Sequence, residues 1–304
     1  MKKYICQIFL FFIIIAIIDF AVGLSMSYLM NHVKGGYSWR NNYICKKTNE
    51  DILIFGSSRA IHHYNPLIIC DSLNMSCYNC GQNGYGIILN YGRLLLIHQR
   101  YQPKVIIYDI YAHYDYLKND NRKYIGQLKP YYHEECIKEL FDSIDKTEKW
   151  KMQSAMYRYN STFLQIISDF FHPLKQTMGI NGFKPKVGVL NSMKAKMYQD
   201  HDDYNYDTIK IDYIKKFITL CEKSTLIFTF SPIWYNYDQT KLEIIKKICK
   251  EYGIPFLDFS NDPKYIHNNQ YFNDGLHLNA RGADEYTKDL VKRLRPILGT
   301  IVKY

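Results

Sequence analysis

Five short apolar runs, each bounded by a glycine, a proline or a polar pair, limit what this chain can fold into. Asp51 to Phe55 stops at Gly56, and a run around Met75 to Asn79 stops at Gly81. Val105 to Asp109 is introduced by Pro103, and Thr225 to Phe230 is stopped by Ser231-Pro232. Phe256 to Phe259 follows Gly253-Ile-Pro255. Runs this short and this continuously apolar suit strands buried on both faces. Between them, residues 87–100, 207–222, 239–252 and 280–296 carry helical spacing. Strands alternating with helices predict a parallel sheet covered on both sides. Right-handed crossovers then narrow the fold to an α/β class, a three-layer α/β/α sandwich with a flavodoxin-like five-stranded parallel sheet. One stretch, about 114–205, lacks strand signals and is rich in Tyr, Lys, Asp and His. Its length inside a compact domain predicts a functional insertion mixing helices, 137–152 among them, with loops.

The N-terminus carries a second signal. Lys2 and Lys3 precede an apolar run from Ile5 to Ile18 that continues past Asp19 through Phe20, Val22 and Leu24. Counted through Leu24, it reaches the roughly 20 residues that span a bilayer. A small-residue site at Ala21 and Gly23 leaves cleavage open, but the persisting apolar character favours an uncleaved anchor. Asp19 is costly in a bilayer unless it lies near an interface or finds a partner. Residues 1–30 are thus expected to form a single transmembrane anchor, 31–50 a polar linker and 51–296 the main domain. The lysine pair places the N-terminus in the cytoplasm and the domain outside a bacterial-type cell membrane.

The charge of +10 comes from scattered pairs such as Lys46-Lys47, with no zinc-finger spacing or arginine-rich arm, so nucleic acid is not an expected partner. The 29 tyrosines suit half-wet surfaces, sugar-stacking ones among them, although compositional drift accounts for them more simply. Eight cysteines show no disulfide framework; buried thiols, or one or two disulfides, are expected.

In a parallel α/β sheet, function lies beyond the carboxyl ends of the strands. After the first run stands Gly56-Ser57-Ser58-Arg59. A serine on a tight turn into a helix is placed to be a nucleophile, though either serine alone could simply cap that helix. After the fifth run come Asp274 and His277, three residues apart and just before the last helix, a spacing that lets the carboxylate orient the imidazole.

With these blocks, the chain resembles the SGNH (GDSL-type) hydrolase superfamily. Gly56-Ser57-Ser58 is similar to its first block with Ser57 in place of Asp, and Asp274-x-x-His277 to its last. The serine variant resembles the membrane-anchored extracytoplasmic branch, which includes D-alanyl transfer and alginate-acetylation-like proteins. The resemblance implies Ser58 as nucleophile, His277 as general base and Asp274 as its orienting partner. It implies an oxyanion hole from the N–H groups of Ser58 and Gly84, with Gly81 as second candidate for the glycine. The third-block Asn is missing, since Tyr108-Asp109-Ile110-Tyr111 stands there, and Asn83 is the substitute donor considered.

Arg59, Asp109, Tyr111 and Arg158 are candidates for the substrate side. For Arg59 the favoured alternative is pairing with Asp109, and for Arg158 a place on an ordinary amphipathic helix weighs equally. His62-His63 and His201-Asp202-Asp203 read as surface clusters, without a third ligand set for a metal. Ser231-Pro232 is a strand stop at the crevice rim. No cofactor or metal is expected. The expected activity is that of a serine esterase or O-acyltransferase, acting on acyl (acetyl) esters of an envelope or secreted glycan. A transferase would need a multispanning acyl-donor membrane protein as partner. The rival is a catalytically inactive glycan-binding or export-complex scaffold. A redox protein built on Cys77 and Cys80 would need a phosphate-cradling loop, and Gly56 to Ala60 holds one glycine.

Overall fold

The computed structural model describes residues 1–119, 125–174, 179–191 and 205–299. Its centre is a parallel sheet of β1 (Ile52–Gly56), β2 (Cys77–Asn79), β3 (Val105–Asp109), β4 (Thr225–Phe230) and β5 (Phe256–Asp258). The spatial order is β2-β1-β3-β4-β5. Ile54 pairs with Asn79 on one side and Ile107 on the other, and Gly56 pairs with Asp109. The chain runs outward from β1 to β2 and then crosses to β3 on the other flank of β1. The carboxyl ends of β1 and β3 are therefore the topological switch point, where such sheets hold their ligands.

Strand side chains alternate between two cores, as a period of two requires. Leu53, Phe55, Ile106, Tyr108, Leu226 and Phe228 point into the larger core. Ile52, Ile54, Val105, Ile107 and Ile227 point into the smaller one. Ahead of the sheet lie α1 (Lys2–His32) and α2 (Gly36–Lys46). Between β1 and β3 come α3 (Ser58–His63), α4 (Pro66–Leu73) and α5 (Ile87–His98). The insertion carries α6 (Ala112–Asp115), α7 (Glu135–Ile144), α8 (Glu148–Lys151), α9 (Ala155–Tyr159) and α10 (Phe163–Phe171). After it come α11 (Thr208–Leu220), α12 (Glu243–Tyr252) and α13 (Ala280–Leu298). Apolar faces of α5, α11 and α12 close the larger core, while α4 and α13 close the smaller one. This is the expected three-layer α/β/α sandwich.

The insertion is mainly helical up to Phe171 and runs as turns and irregular chain over 179–191, and the expected helix over 137–152 is broken into α7 and α8 at Asp145. The expected linker at 31–50 is a correction. Residues 36–46 form α2, whose Arg40, Asn41, Asn42, Ile44 and Cys45 are buried. Its polar residues point inward because they tie loops together: the Arg40 guanidinium donates to the carbonyls of Asn79, Gly81 and Gly182.

Helix α1 is long and apolar enough to cross a membrane, with a mean hydropathy of 2.8 over its best window. Its second half is also part of the domain. Asp19 accepts hydrogen bonds from Ser154 Oγ (2.6 Å) and from the N–H groups of Ala155 and Met156 (both 2.8 Å) at the start of α9. Gly23 permits this crossing, since a Cβ there would stand 2.8 Å from that of Ala155. Asp19 thus has partners within the fold. The eight cysteines are free, and burial raises the Cys77 and Cys80 thiols well above their usual range, leaving them inert packing groups.

Candidate active site

The turn after β1 is forced by two features. Gly56 has φ +139°, and a Cβ there would meet Asp109 O at 2.7 Å and Ala60 Cβ at 2.9 Å. Ser57 then caps α3, its Oγ accepting from Arg59 N–H. The two serines divide the roles open to them: Ser57 is buried as the cap, and Ser58, the first residue of α3, faces the crevice.

The loop before α13 brings the other two groups to Ser58. Asp274 Oδ1 accepts from the N–H groups of Leu276 (3.0 Å) and His277 (2.9 Å), folding the carboxylate back over its own turn. Asn279 caps α13 through Gly282 N–H. Gly282 is needed there, because a Cβ would lie 2.1 Å from Tyr271 O. The result is a relay: His277 Nε2 lies 2.8 Å from Ser58 Oγ, and His277 Nδ1 lies 2.8 and 2.9 Å from the Asp274 oxygens. Burial alone would raise the Asp274 pKa, but the hydrogen bond and charge of His277, joined by Lys186, hold it well below the usual carboxylate range. An ionised Asp274 can only accept, so Nδ1 carries the imidazole proton and Nε2 is free to receive the one on Ser58.

Lys186, from the insertion, has no counterpart in the sequence reading. Its Nζ donates to Asp274 Oδ2 at 3.1 Å and lies 3.5 Å from His277 Nδ1. The segment that carries it runs along the loop of Asp274 and His277, with Ala280 N–H bonded to Lys186 O and Leu190 N–H to Phe272 O. Asn273 and Asn279 amides bond to Val187 O and Gly188 O.

His62 and His63 are a further correction, since both are buried against the site and neither is a surface residue. His63 Nε2 accepts from Leu278 N–H (3.0 Å), so its Nδ1 carries the proton and donates to Ser231 Oγ (2.8 Å). Burial, reinforced by the Arg59 charge, pushes its pKa well down and keeps this strut neutral. His62 donates through Nδ1 to Lys184 O, and its ring meets that of His277 edge-on at 5.5 Å. Burial lowers its pKa to about 4, against the opposing bond to Lys184.

Arg59 and Asp109 do not face the crevice: they are 1% and 0% exposed and form an ion pair at 3.5 Å. Asp109 Oδ1 also accepts from Tyr64 OH (2.7 Å) and Ser231 N–H (2.8 Å), locking the ends of β3 and β4 together. The Arg59 guanidinium bonds to Ser231 and stacks over Phe230 and Tyr111, at 4.0 and 4.9 Å. Ser231 is therefore a buried hub as well as a strand stop. These contacts bear out the favoured pairing of Arg59 with Asp109 and correct the candidacy of both for the substrate side. Arg158 is placed elsewhere too, donating to Met152 O and Gln153 O beside α1, where Gly23 crosses α9. Tyr111, two residues past β3, covers Arg59 and is 8% exposed.

On the loop after β2, Gly84 has φ +76° and open space where a Cβ would lie, and Asn83 is exposed beside it. Gln82 N–H bonds to Gly56 O, which fastens this loop to the Gly56–Ser58 turn. Gly81 is packed under it, with Ile61 N only 2.5 Å from a notional Cβ. His201, Asp202 and Asp203 lie outside the described residues.

No protein-family model matches the chain, and no curated protein matches it. Among solved structures, a lipolytic protein assigned to the G-D-S-L family from Desulfitobacterium hafniense is similar at 11% identity and a TM-score of 0.40. That match covers 80% of this chain and 98% of the other. An acetyl xylan esterase from the rumen bacterium Butyrivibrio proteoclasticus is similar at 12% identity and a TM-score of 0.38, over 82% of this chain and 64% of the other. The fold class itself rests on strand order and register: an α/β sandwich with a serine, a histidine and an aspartate aligned at its switch point.

Proposed function

We propose that this chain is a membrane-tethered serine esterase or O-acyltransferase acting on acyl esters of an envelope or secreted glycan, with acetyl as the acyl group. The observation that carries the reading is the relay from Ser58 Oγ through His277 to Asp274, with both contacts at 2.8 Å. His277 Nε2 takes the Ser58 proton as Oγ attacks the ester carbonyl. The N–H groups of Ser58, at the start of α3, and of Gly84 receive the developing oxyanion, with Asn83 next to them. His277 then protonates the departing alcohol. Water or a sugar hydroxyl, deprotonated by the same imidazole, takes the acyl group from Ser58. Lys186 keeps Asp274 ionised and fixed, and so acts through the base as a positioning residue. The glycan substrate and the extracytoplasmic placement follow the resemblance of the Ser57-Ser58 block and the apolar helix α1. An acyltransferase working outside the membrane would draw its acyl group from a multispanning partner.

The test is labelling of the full-length protein in detergent by a fluorophosphonate probe, with p-nitrophenyl acetate turnover measured in parallel. Both signals should fall by about a thousandfold or more in Ser58→Ala, the scale on which loss of a triad nucleophile acts. A folded wild-type protein that takes no label would leave the inactive glycan-binding scaffold as the reading.

A further inference from the structure

A cavity of about 370 Å³ opens where the loop after β2 meets α2 and the end of α1. That volume is at the lower end of ligand sites, which run from roughly 300 to 1,000 Å³. No charged side chain lines it; its wall includes the amides of Gln82 and Gln127, the hydroxyls of Ser161 and Thr162, and Tyr37 and Tyr85.

What stands behind the wall sets its polarity. Arg40 and Arg93 are buried, at 1% and 0% exposure, and neither forms an ion pair with a carboxylate among the described residues. Arg40 Nη1 donates to Gln82 Oε1 (3.2 Å), and Arg93 Nη2 donates to Gln82 Oε1 (3.3 Å) and Gln127 Oε1 (2.7 Å). A guanidinium can only donate, so both amide oxygens must face inward and both NH2 groups must face away from the arginines. Gln82 is over nine-tenths buried, and its amide nitrogen has no bonding partner among the described residues. Lys184 adds a third cation, its Nζ 4.3 Å from the Tyr37 ring centroid. Burial and the Arg40 charge lower its pKa to about 8. Two lining residues hold a carboxylate from behind: Asp169 accepts from Ser38 N–H and Gln165 Nε2.

We propose that this cavity binds a sugar-sized ligand carrying an oxyanion, carboxylate or phosphate, which accepts from the Gln82 and Gln127 amides and offsets the charge of Arg40 and Arg93. The hydroxyl-bearing part of the wall then meets the ring hydroxyls. The inference goes beyond the esterase reading and does not depend on the reactivity of Ser58. It does place a second anchoring point on the loop that carries Gly84.

The test is calorimetric titration of the full-length Ser58→Ala protein in detergent with three probes: galacturonic acid trisaccharide, glucose 6-phosphate and maltotriose. At least one acidic probe should bind tenfold or more tightly than neutral maltotriose, and which one it is names the oxyanion. In Gln82→Glu the new carboxylate keeps the guanidinium contacts but replaces the donor that faces the cavity, so that preference should vanish while the thermal midpoint holds. Gln127→Glu carries the same expectation should Gln82→Glu fail to fold. Equal binding of acidic and neutral probes, no binding at millimolar concentration, or a preference that survives both variants would overturn the inference.

Discussion

Lys186 puts an ammonium against the Asp274 carboxylate beside His277, from a segment 88 positions away in sequence. Replacing it by Met keeps the bulk and removes the grip on Asp274 Oδ2. We expect kcat to fall by about tenfold, equivalent to ~1.4 kcal/mol of lost transition-state stabilisation, with KM nearly unchanged. The two buried histidines predict a pH effect on stability. His62 has its pKa lowered from 6.5 to about 4, so between these values the unfolded chain binds a proton that the native one refuses. Its contribution is therefore fully present above pH 6.5 and is lost as pH falls towards 4. Urea midpoints measured across that window should decline on the acid side, and His62→Leu should flatten the decline. At this scale the Ser58–His277–Asp274 contact was legible, because these residues sit in short local patterns at strand ends. Lys186 was not, since nothing local distinguishes one lysine of the insertion from the others. Arg59 and Asp109 stood as substrate candidates beside the favoured reading that they pair, and their burial decides for the pair. A charged pair at the switch point reads like a ligand contact until burial shows that each is spent on the other and on Ser231.

At the scale of elements, the strands were legible because continuous apolar runs ending at Gly or Pro have few other readings. Helix α2 was not, because its buried face is polar: Arg40, Asn41 and Asn42 look like a solvated linker until their loop partners are known. Two glycines hold elements at distances that no side chain permits. Gly282→Ala would drive a Cβ to 2.1 Å from Tyr271 O and displace the α13 cap next to His277. We expect a loss of about 2–3 kcal/mol, in the range of overpacked buried sites, measured as a lower urea midpoint. Gly23→Val at the crossing of α1 and α9 would clash with Ala155, and Asp19→Leu would strip the acceptor from three donors. Both should speed proteolysis of the α8–α10 region while leaving the sheet intact, which limited trypsin digestion in detergent would display.

Across the whole molecule, the sandwich and α1 share one fold. Met26 and Met30 of α1 are buried in the larger core together with strand and insertion side chains. A chain beginning near residue 34 would therefore expose that part of the core. Gel filtration should find it aggregated or its insertion loosened, where the full chain in detergent runs as a single species. The Asp19 contact carries a further consequence for how such a protein matures. Severing the leader after Gly23 would remove the only acceptor described for Ser154 Oγ, Ala155 N–H and Met156 N–H together. The helix is then less a leash than a cofactor supplied in cis, and a chain cut after Gly23 should show a loosened insertion beside the intact one.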